Sequence, residues 1–406
     1  MKILLATYWI VPHVGGVWNY MNQLKKKLEY FGHEVDLLGY GDMHKYVYHV
    51  TDDIKIYKED VIEEVTKKLE ANSHLEYYAD PVVKFCETQK FVYELGIAKM
   101  ELEKYDLIHT QDVFSSSVFA KVIPKDTTLV ATLHGSVAHE MKDYVMNVHV
   151  TETSSLACIY FDELEYSGAT SATKTIVANN WLKNILIDEF KVPEEQILVQ
   201  HYGYDIDAFL NTFDANNITI EKPLEKKVIL FLGRLVSLKG VHHLINALGN
   251  LQYSRDDWVC WIVGEGEKQA ELEQQTKELG LVDKVIFLGN RSNVAELLYV
   301  TDIFVLPSLI ENQPLSVIEA QIMGKPIVVS DTGGLPEMVT HGWNGLITKA
   351  GDEQGICNSL YSLLENEEYG KQLGNTAKTW ALDYWSLEKG AKKVLEIYHQ
   401  VLKKNN

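Results

Sequence analysis

The sequence predicts an α/β protein built from two parallel-sheet domains, and three observations carry that expectation. Short apolar runs alternate with helix-period segments along most of the chain, the pattern of repeated strand and helix units. At 406 residues the chain is too long for one ordinary core. A polar stretch with Asn216, Asn217 and Pro223 interrupts the alternation soon after residue 205, which places a domain boundary there.

Composition agrees with this and excludes several functions. Hydrophobic residues make up 46% of the chain and aromatics 10%, enough for two buried sheets. The formal charge of -19 argues against nucleic-acid binding, because phosphate backbones need a basic footprint, although a local basic pocket for one small anion stays open. Cys86, Cys158, Cys260 and Cys357 lie far apart with no Cys-x-x-Cys pair. Neither a zinc site nor a disulfide framework is expected, and a reducing cytoplasm is the natural setting. No run approaches the ~18 apolar residues of a membrane span. The opening Met1-Lys-Ile-Leu-Leu-Ala6 leads into Tyr8, Trp9, Pro12 and His13, so it reads as a first strand and not as a leader.

In chain order, Ile3 to Ala6 is the first strand, and an amphipathic helix follows with Val17, Met21, Leu24 and Leu28 on one face. Gly15-Gly16 between them permits either close approach of a ligand to the backbone or a plain tight turn. It is not a Gly-x-Gly-x-x-Gly fingerprint. Val35 to Leu38 is the second strand, with His33 a surface turn residue. From Asp42 to Lys104 the chain is charged, tyrosine-rich and mostly helical in pattern, without a chemical motif. Asp106 to His109 and Thr128 to Leu133 are further strands. The second delivers His134-Gly135 at its carboxyl end, where open α/β sheets place their ligand crevice; His134 faces that crevice or is satisfied by its own loop. Lys174 to Ala178 and Ile197 to Gln200 complete the first set.

Val228 to Leu232 starts a second alternation, continued by Trp261 to Val263 and Val285 to Leu288. Glycines follow successive strands, at Gly233, Gly264, Gly266 and Gly289, and again at Gly333-Gly334 and Gly345, and they predict a rim of close-approach loops. Arg234 and Lys239 sit five residues apart across the first strand-to-helix turn. A guanidinium fork and a point-charge ammonium there either bind a diphosphate or are solvated. No Asp-x-Asp at a strand end offers a metal-and-diphosphate site, so no metal is expected. The terminal segment from Gly351 is helical, broken at Tyr384-Trp385-Ser386.

The most informative stretch is Ile303 to Ser330, a strand, loop, helix and strand in sequence. Pro314 fits the first helical turn, leaving the amides of Leu315, Ser316 and Val317 unpaired and attractive to phosphate. Glu311 precedes that helix and Glu319 lies about a turn and a half inside it. Both carboxylates are either surface glutamates or acceptors for hydroxyls of a ligand docked at the helix start. A phosphate flanked by two hydroxyl-accepting carboxylates describes a sugar nucleotide.

With Gly15-Gly16, His134-Gly135, Gly233-Arg234 to Lys239-Gly240, the Glu311/Glu319 pair, Gly333-Gly334-Leu-Pro-Glu337 and Asn344-Gly345 in order, the chain resembles the family 4 retaining glycosyltransferases of GT-B fold. The resemblance implies two Rossmann-like, doubly wound domains facing a cleft, 1–205 on the acceptor side and 206–385 on the nucleotide-sugar side, with helix 386–406 returning to the first. It implies Arg234 and Lys239 on the donor diphosphate, Glu319 on the ribose, Glu311 on the donor sugar, and the amides after Pro314 on phosphate. Arg291 borders the base, Gly16 admits the donor phosphates, and His134 lies near the reacting sugar. Two positions depart from the family pattern. Asn312-Gln313-Pro314 replaces the common Gly-Phe-Gly, and Tyr204 stands where a small aliphatic residue is common.

The implied activity is metal-independent, retaining transfer of a sugar from a nucleoside diphosphate, UDP for preference, to the hydroxyl of a glycan, lipid or small molecule, with domain closure on the donor. No cofactor is implied beyond the sugar nucleotide as co-substrate, and a peripheral membrane contact stays open. The alternatives are a GT-B sugar-nucleotide epimerase, a non-catalytic nucleotide-sugar-binding or assembly protein and, least supported, a nicotinamide oxidoreductase.

Overall fold

The computed structural model describes residues 1–13, 15–72, 75–216 and 218–404. The chain divides into two compact units, one of residues 1–203 with 387–406 and one of residues 204–386. Each has its own buried core around a sheet. Among the described residues no helix is long and apolar enough to cross a membrane.

The first sheet contains β1 (Lys2–Ile10), β2 (Glu34–Tyr40), β3 (Tyr46–His49), β4 (Ile54–Tyr57), β5 (Leu107–Thr110), β6 (Thr128–Leu133), β7 (Lys174–Val177) and β8 (Ile197–Val199). Their order is β4-β3-β2-β1-β5-β6-β7-β8. Ile3, Leu4, Leu5 and Ala6 of β1 are wholly buried, as a central parallel strand covered on both faces requires. Pairing is parallel from β2 to β8, with Ile3 opposite both Val35 and Leu107. β3 and β4 add an antiparallel hairpin at one edge. Helices Ile62–Asn72 and Pro81–Ile97 bear out the mostly helical reading of residues 42–104, and the hairpin is the exception to it: Tyr46-Val-Tyr-His and Ile54-Lys-Ile-Tyr alternate with period two, and aromatic and β-branched residues suit a half-buried pleated edge.

The last helix, Leu387–Lys404, belongs to this first unit. Tyr398 on it hydrogen-bonds Nδ1 of His109 on β5 at 2.6 Å, while Nε2 of His109 meets the Thr132 hydroxyl at 2.7 Å. Burial pulls the His109 imidazole down to about 3, so the ring is neutral and both its nitrogens are satisfied inside the unit.

The second sheet contains β9 (Lys227–Leu232), β10 (Trp258–Val263), β11 (Val285–Gly289), β12 (Ile303–Leu306), β13 (Ile327–Ser330) and β14 (Leu346–Thr348), all parallel. Its order is β11-β10-β9-β12-β13-β14. The sequence marks five of these strands; β14, three residues long, is too short to register as an apolar run.

Candidate active site

In the second sheet the chain winds outward from β9 in one direction as far as β11, then restarts on its other side with β12. β9 and β12 are neighbours at that reversal, with Ile229 opposite Ile303 and Leu230 opposite Phe304. Loops leaving the carboxyl ends of two such strands diverge to opposite faces and leave a crevice between them. Here β9 runs into Gly233-Arg234 and β12 into Pro307-Ser308.

The two loops are fastened to one another. Leu309 donates its amide to the carbonyl of Leu238 at 2.8 Å. The Lys239 ammonium is hydrogen-bonded and ion-paired to Oε2 of Glu311, which also accepts the Ser308 hydroxyl at 3.3 Å. Their side chains are only 17% and 12% exposed, so Lys239 is not a solvated cation and Glu311 is not a solvated glutamate. Arg234 differs: it is exposed, and among the described residues its guanidinium has no protein partner.

The helix after the β12 loop spans Leu315–Ile322, and Pro314 caps it with extended backbone, φ -70° and ψ 126°. Pro314 therefore stands one position before the first turn, and the expectation of three free amides needs correcting. A capping residue's carbonyl accepts the first helical bond, here from Val317 at 3.2 Å, so Leu315 and Ser316 are the two amides without a partner among the described residues. Glu319, a turn further on, accepts the Tyr204 hydroxyl on Oε1 at 2.7 Å. Burial pushes the Glu319 carboxyl up to about 7, and the Tyr204 hydrogen bond works against that rise. Tyr204, unusual at its position in the sequence, is thus a direct partner of one of the paired carboxylates. Arg291, in the loop after β11, is exposed and lies against its own loop, with Nε 3.3 Å from Oδ1 of Asn293.

Two glycines of this rim are required by the protein's own backbone. Gly240 has φ +63°, and a Cβ there would stand 2.1 Å from the carbonyl oxygen of Pro307. Gly333 has φ +61°, and a Cβ would stand 1.7 Å from the carbonyl oxygen of Glu311, which also accepts the Gly334 amide at 2.9 Å. These contacts hold the β9 and β12 loops and the backbone of Glu311 in place. Gly240→Ala is therefore expected to cost about 2–3 kcal/mol, since left-handed backbone and a backbone clash combine; urea unfolding with an unchanged midpoint would show that the loops yield. Asn344 is likewise internal, its Oδ1 accepting the Thr340 amide at 2.7 Å.

In the first unit, His134 follows β6 and lies between the rings of Tyr20 and Tyr202, with centroids 5.2 Å and 4.7 Å away. Its Nε2 is 3.0 Å from Oε1 of Gln111 at the end of neighbouring β5. Gln111 donates its amide to the His109 carbonyl at 3.3 Å, which sets the oxygen toward His134 and makes Nε2 the protonated nitrogen. Desolvation pulls His134 down to about 3, leaving a neutral imidazole. No local pattern marks Gln111. Gly16 opens the helix Gly16–Tyr30, is exposed, and would bear a Cβ with nothing among the described residues within 4 Å, so packing against them does not demand a glycine there.

Among the described residues, one group of three potential metal ligands lies close together, Asp36, His49 and Asp52. Its atoms are engaged internally: Tyr105 donates to Asp36 at 2.8 Å, His49 Nε2 meets the Tyr105 hydroxyl at 2.7 Å, and Nδ1 accepts the Asp52 amide at 3.2 Å. Both ring nitrogens are committed to the network.

Two family descriptions match the chain: Glycosyltransferase Family 4 over residues 14–208 and Glycosyl transferases group 1 over residues 213–380. The chain is a family 4 glycosyltransferase. This glycosyltransferase is 27% identical over 414 aligned residues to an uncharacterized glycosyltransferase of Methanocaldococcus jannaschii, covering 98% of each chain. It is 25% identical to the N-acetyl-alpha-D-glucosaminyl L-malate synthase of Bacillus anthracis, covering 99% of this chain and 98% of the relative. Over 66% of this chain and 68% of the relative it is 27% identical to the UDP-Gal:alpha-D-GlcNAc-diphosphoundecaprenol alpha-1,3-galactosyltransferase of Escherichia coli. Sucrose-phosphate synthase from Thermosynechococcus elongatus superposes with a TM-score of 0.73 at 20% identity, covering 99% of both chains. Anabaena HepE, solved in complex with UDP, superposes with a TM-score of 0.69 at 20% identity, covering 98% of this chain and 100% of that one. The fold of the family 4 glycosyltransferase is accordingly GT-B.

Proposed function

We propose that this glycosyltransferase transfers a sugar from a nucleoside-diphosphate sugar, with UDP as the nucleotide, to an acceptor hydroxyl, retaining the anomeric configuration and using no metal. The observation that carries the proposal is the strand-order reversal at β9 and β12, which sets the Arg234/Lys239 turn and the Glu311 loop with its helix start beside one crevice. A donor diphosphate there meets the Lys239 ammonium together with the Arg234 guanidinium and the Leu315 and Ser316 amides, which have no partner among the described residues. As the glycosidic bond breaks, negative charge grows on the departing diphosphate, and preorganised donors aimed at it lower the barrier. Glu319 then accepts from the ribose and Glu311 from the donor sugar, while Arg291 borders the base. His134, beside the reacting sugar, and Gly16, beside the donor phosphates, keep the parts that the family resemblance gives them. UDP is favoured because the Escherichia coli relative is named for a UDP-sugar and HepE was solved with UDP. Four dispersed cysteines fit a reducing cytoplasm.

The test has three parts. UDP should raise the thermal midpoint in proportion to its occupancy. Transfer should proceed undiminished in EDTA, and strict dependence on added magnesium would show that the cations of the crevice do not suffice. The anomeric proton coupling in the product's NMR spectrum should match that of the donor; an inverted coupling would sink retention.

A further inference from the structure

Tyr204 is held rigidly against the helix that carries Glu319. Its amide donates to the Trp385 carbonyl at 2.7 Å, it bridges to Ser386, and its ring meets Phe209 edge-on at 5.8 Å. The Trp385 indole in turn donates to Oε1 of Gln321 at 2.8 Å, and Gln321 donates to the Met338 carbonyl at 2.8 Å. Helix Leu315–Ile322 is therefore gripped at two of its side chains, Glu319 and Gln321, by residues from the two ends of the second unit. A glutamate has three rotatable side-chain torsions, and a fixed donor on one oxygen selects the orientation of the other.

We propose that Tyr204 is a positioning residue for the nucleotide ribose: its hydroxyl occupies Oε1 of Glu319 and so presents Oε2 to the ribose hydroxyls. This rests on the assignment of Glu319 to the ribose under the proposed function. The hydroxyl has a second effect, because a carboxyl must be ionised to be a strong acceptor. Burial raises Glu319 to about 7, and Tyr204 is the group that opposes it. The helices Val294–Val300 and Glu367–Tyr384 and strand β13 pack against the Glu319 helix, yet among the described residues no charged side chain from them acts on this carboxyl. Tyr204 itself is raised by burial, by Glu319 and by Asp205, so it stays a neutral donor. As pH falls through about 7, Glu319 takes up a proton and ribose recognition weakens. Without the Tyr204 hydroxyl that loss moves to higher pH.

The experiment is calorimetric titration of UDP and 2′-deoxy-UDP into the full-length wild type, Tyr204→Phe and Glu319→Gln between about pH 6 and 8.5, with thermal midpoints recorded. The wild type should prefer UDP by about tenfold, the worth of one charge-assisted hydrogen bond. Tyr204→Phe should weaken UDP binding roughly five- to tenfold, shrink the preference over 2′-deoxy-UDP, and shift the pH inflection upward. An unchanged affinity, preference and inflection in Tyr204→Phe would overturn the role of Tyr204 while leaving the ribose assignment standing. A wild type that does not distinguish the two nucleotides, or Glu319→Gln that binds UDP like the wild type, would remove the ribose assignment and this inference with it. Should Tyr204→Phe fail to fold, the wild-type preference for UDP over 2′-deoxy-UDP decides, because the ionisation of the phosphates cancels between the two: a preference that shrinks as pH falls through about 7 supports the placement of Glu319, and one that stays constant from about pH 6 to 8.5 overturns it.

Discussion

Replacing Arg234 with alanine is expected to slow sugar transfer by about two to three orders of magnitude while leaving the thermal midpoint unchanged. The two halves of that expectation have separate causes. Losing one preorganised charge contact to a developing anion costs about 3 kcal/mol of transition-state stabilisation. Arg234 is exposed and has no protein partner among the described residues, so its removal breaks nothing in the resting protein. Steady-state rates with saturating donor, paired with a melting curve, check both. A variant within threefold of the parent would take Arg234 out of the diphosphate site, and one that melts well below the parent would mean that the side chain supports the fold.

Lys239→Ala should behave differently although it lies in the same turn. It strips Glu311 of its counter-ion, leaving a largely buried carboxylate with the Ser308 hydroxyl for company. Breaking a buried pair from one side typically costs about 3–5 kcal/mol, whereas removing both partners costs far less. For a unit of this size, that single loss corresponds to a fall of roughly 6–20 °C in midpoint. Transfer should fall by at least the factor expected for Arg234→Ala, because an unpaired carboxylate then repels the incoming diphosphate. The double variant Lys239→Ala/Glu311→Ala should regain most of the stability and none of the transfer. A single variant as stable as the parent, or an active double variant, would refute the coupling.

The contrast between these neighbouring cations shows where sequence reasoning stops. The turn from Gly233 to Gly240, the spacing of Glu311 and Glu319, and the strand runs around them are local features, and periodicity with residue type is enough to find them. Pairing is not local: Lys239 meets Glu311 across 72 residues, and Tyr204 meets Glu319 across 115. Nothing in the pattern around Tyr204 shows that its hydroxyl ends on a carboxylate, and nothing around Gln111 that it orients His134. The edge hairpin β3–β4 hid for another reason, since two four-residue strands among charged residues give too few alternations to outweigh a helical background. Pro314 was displaced by one position because proline is compatible with both the capping site and the first turn, and only backbone angles separate them.

The bridge between Tyr204 and Ser386 carries one more consequence. The polypeptide enters the second unit and leaves it at adjoining points, so the intervening stretch is topologically an insert whose ends already touch. A module with joined ends can be exchanged for another by two nearby breaks, without rethreading its host.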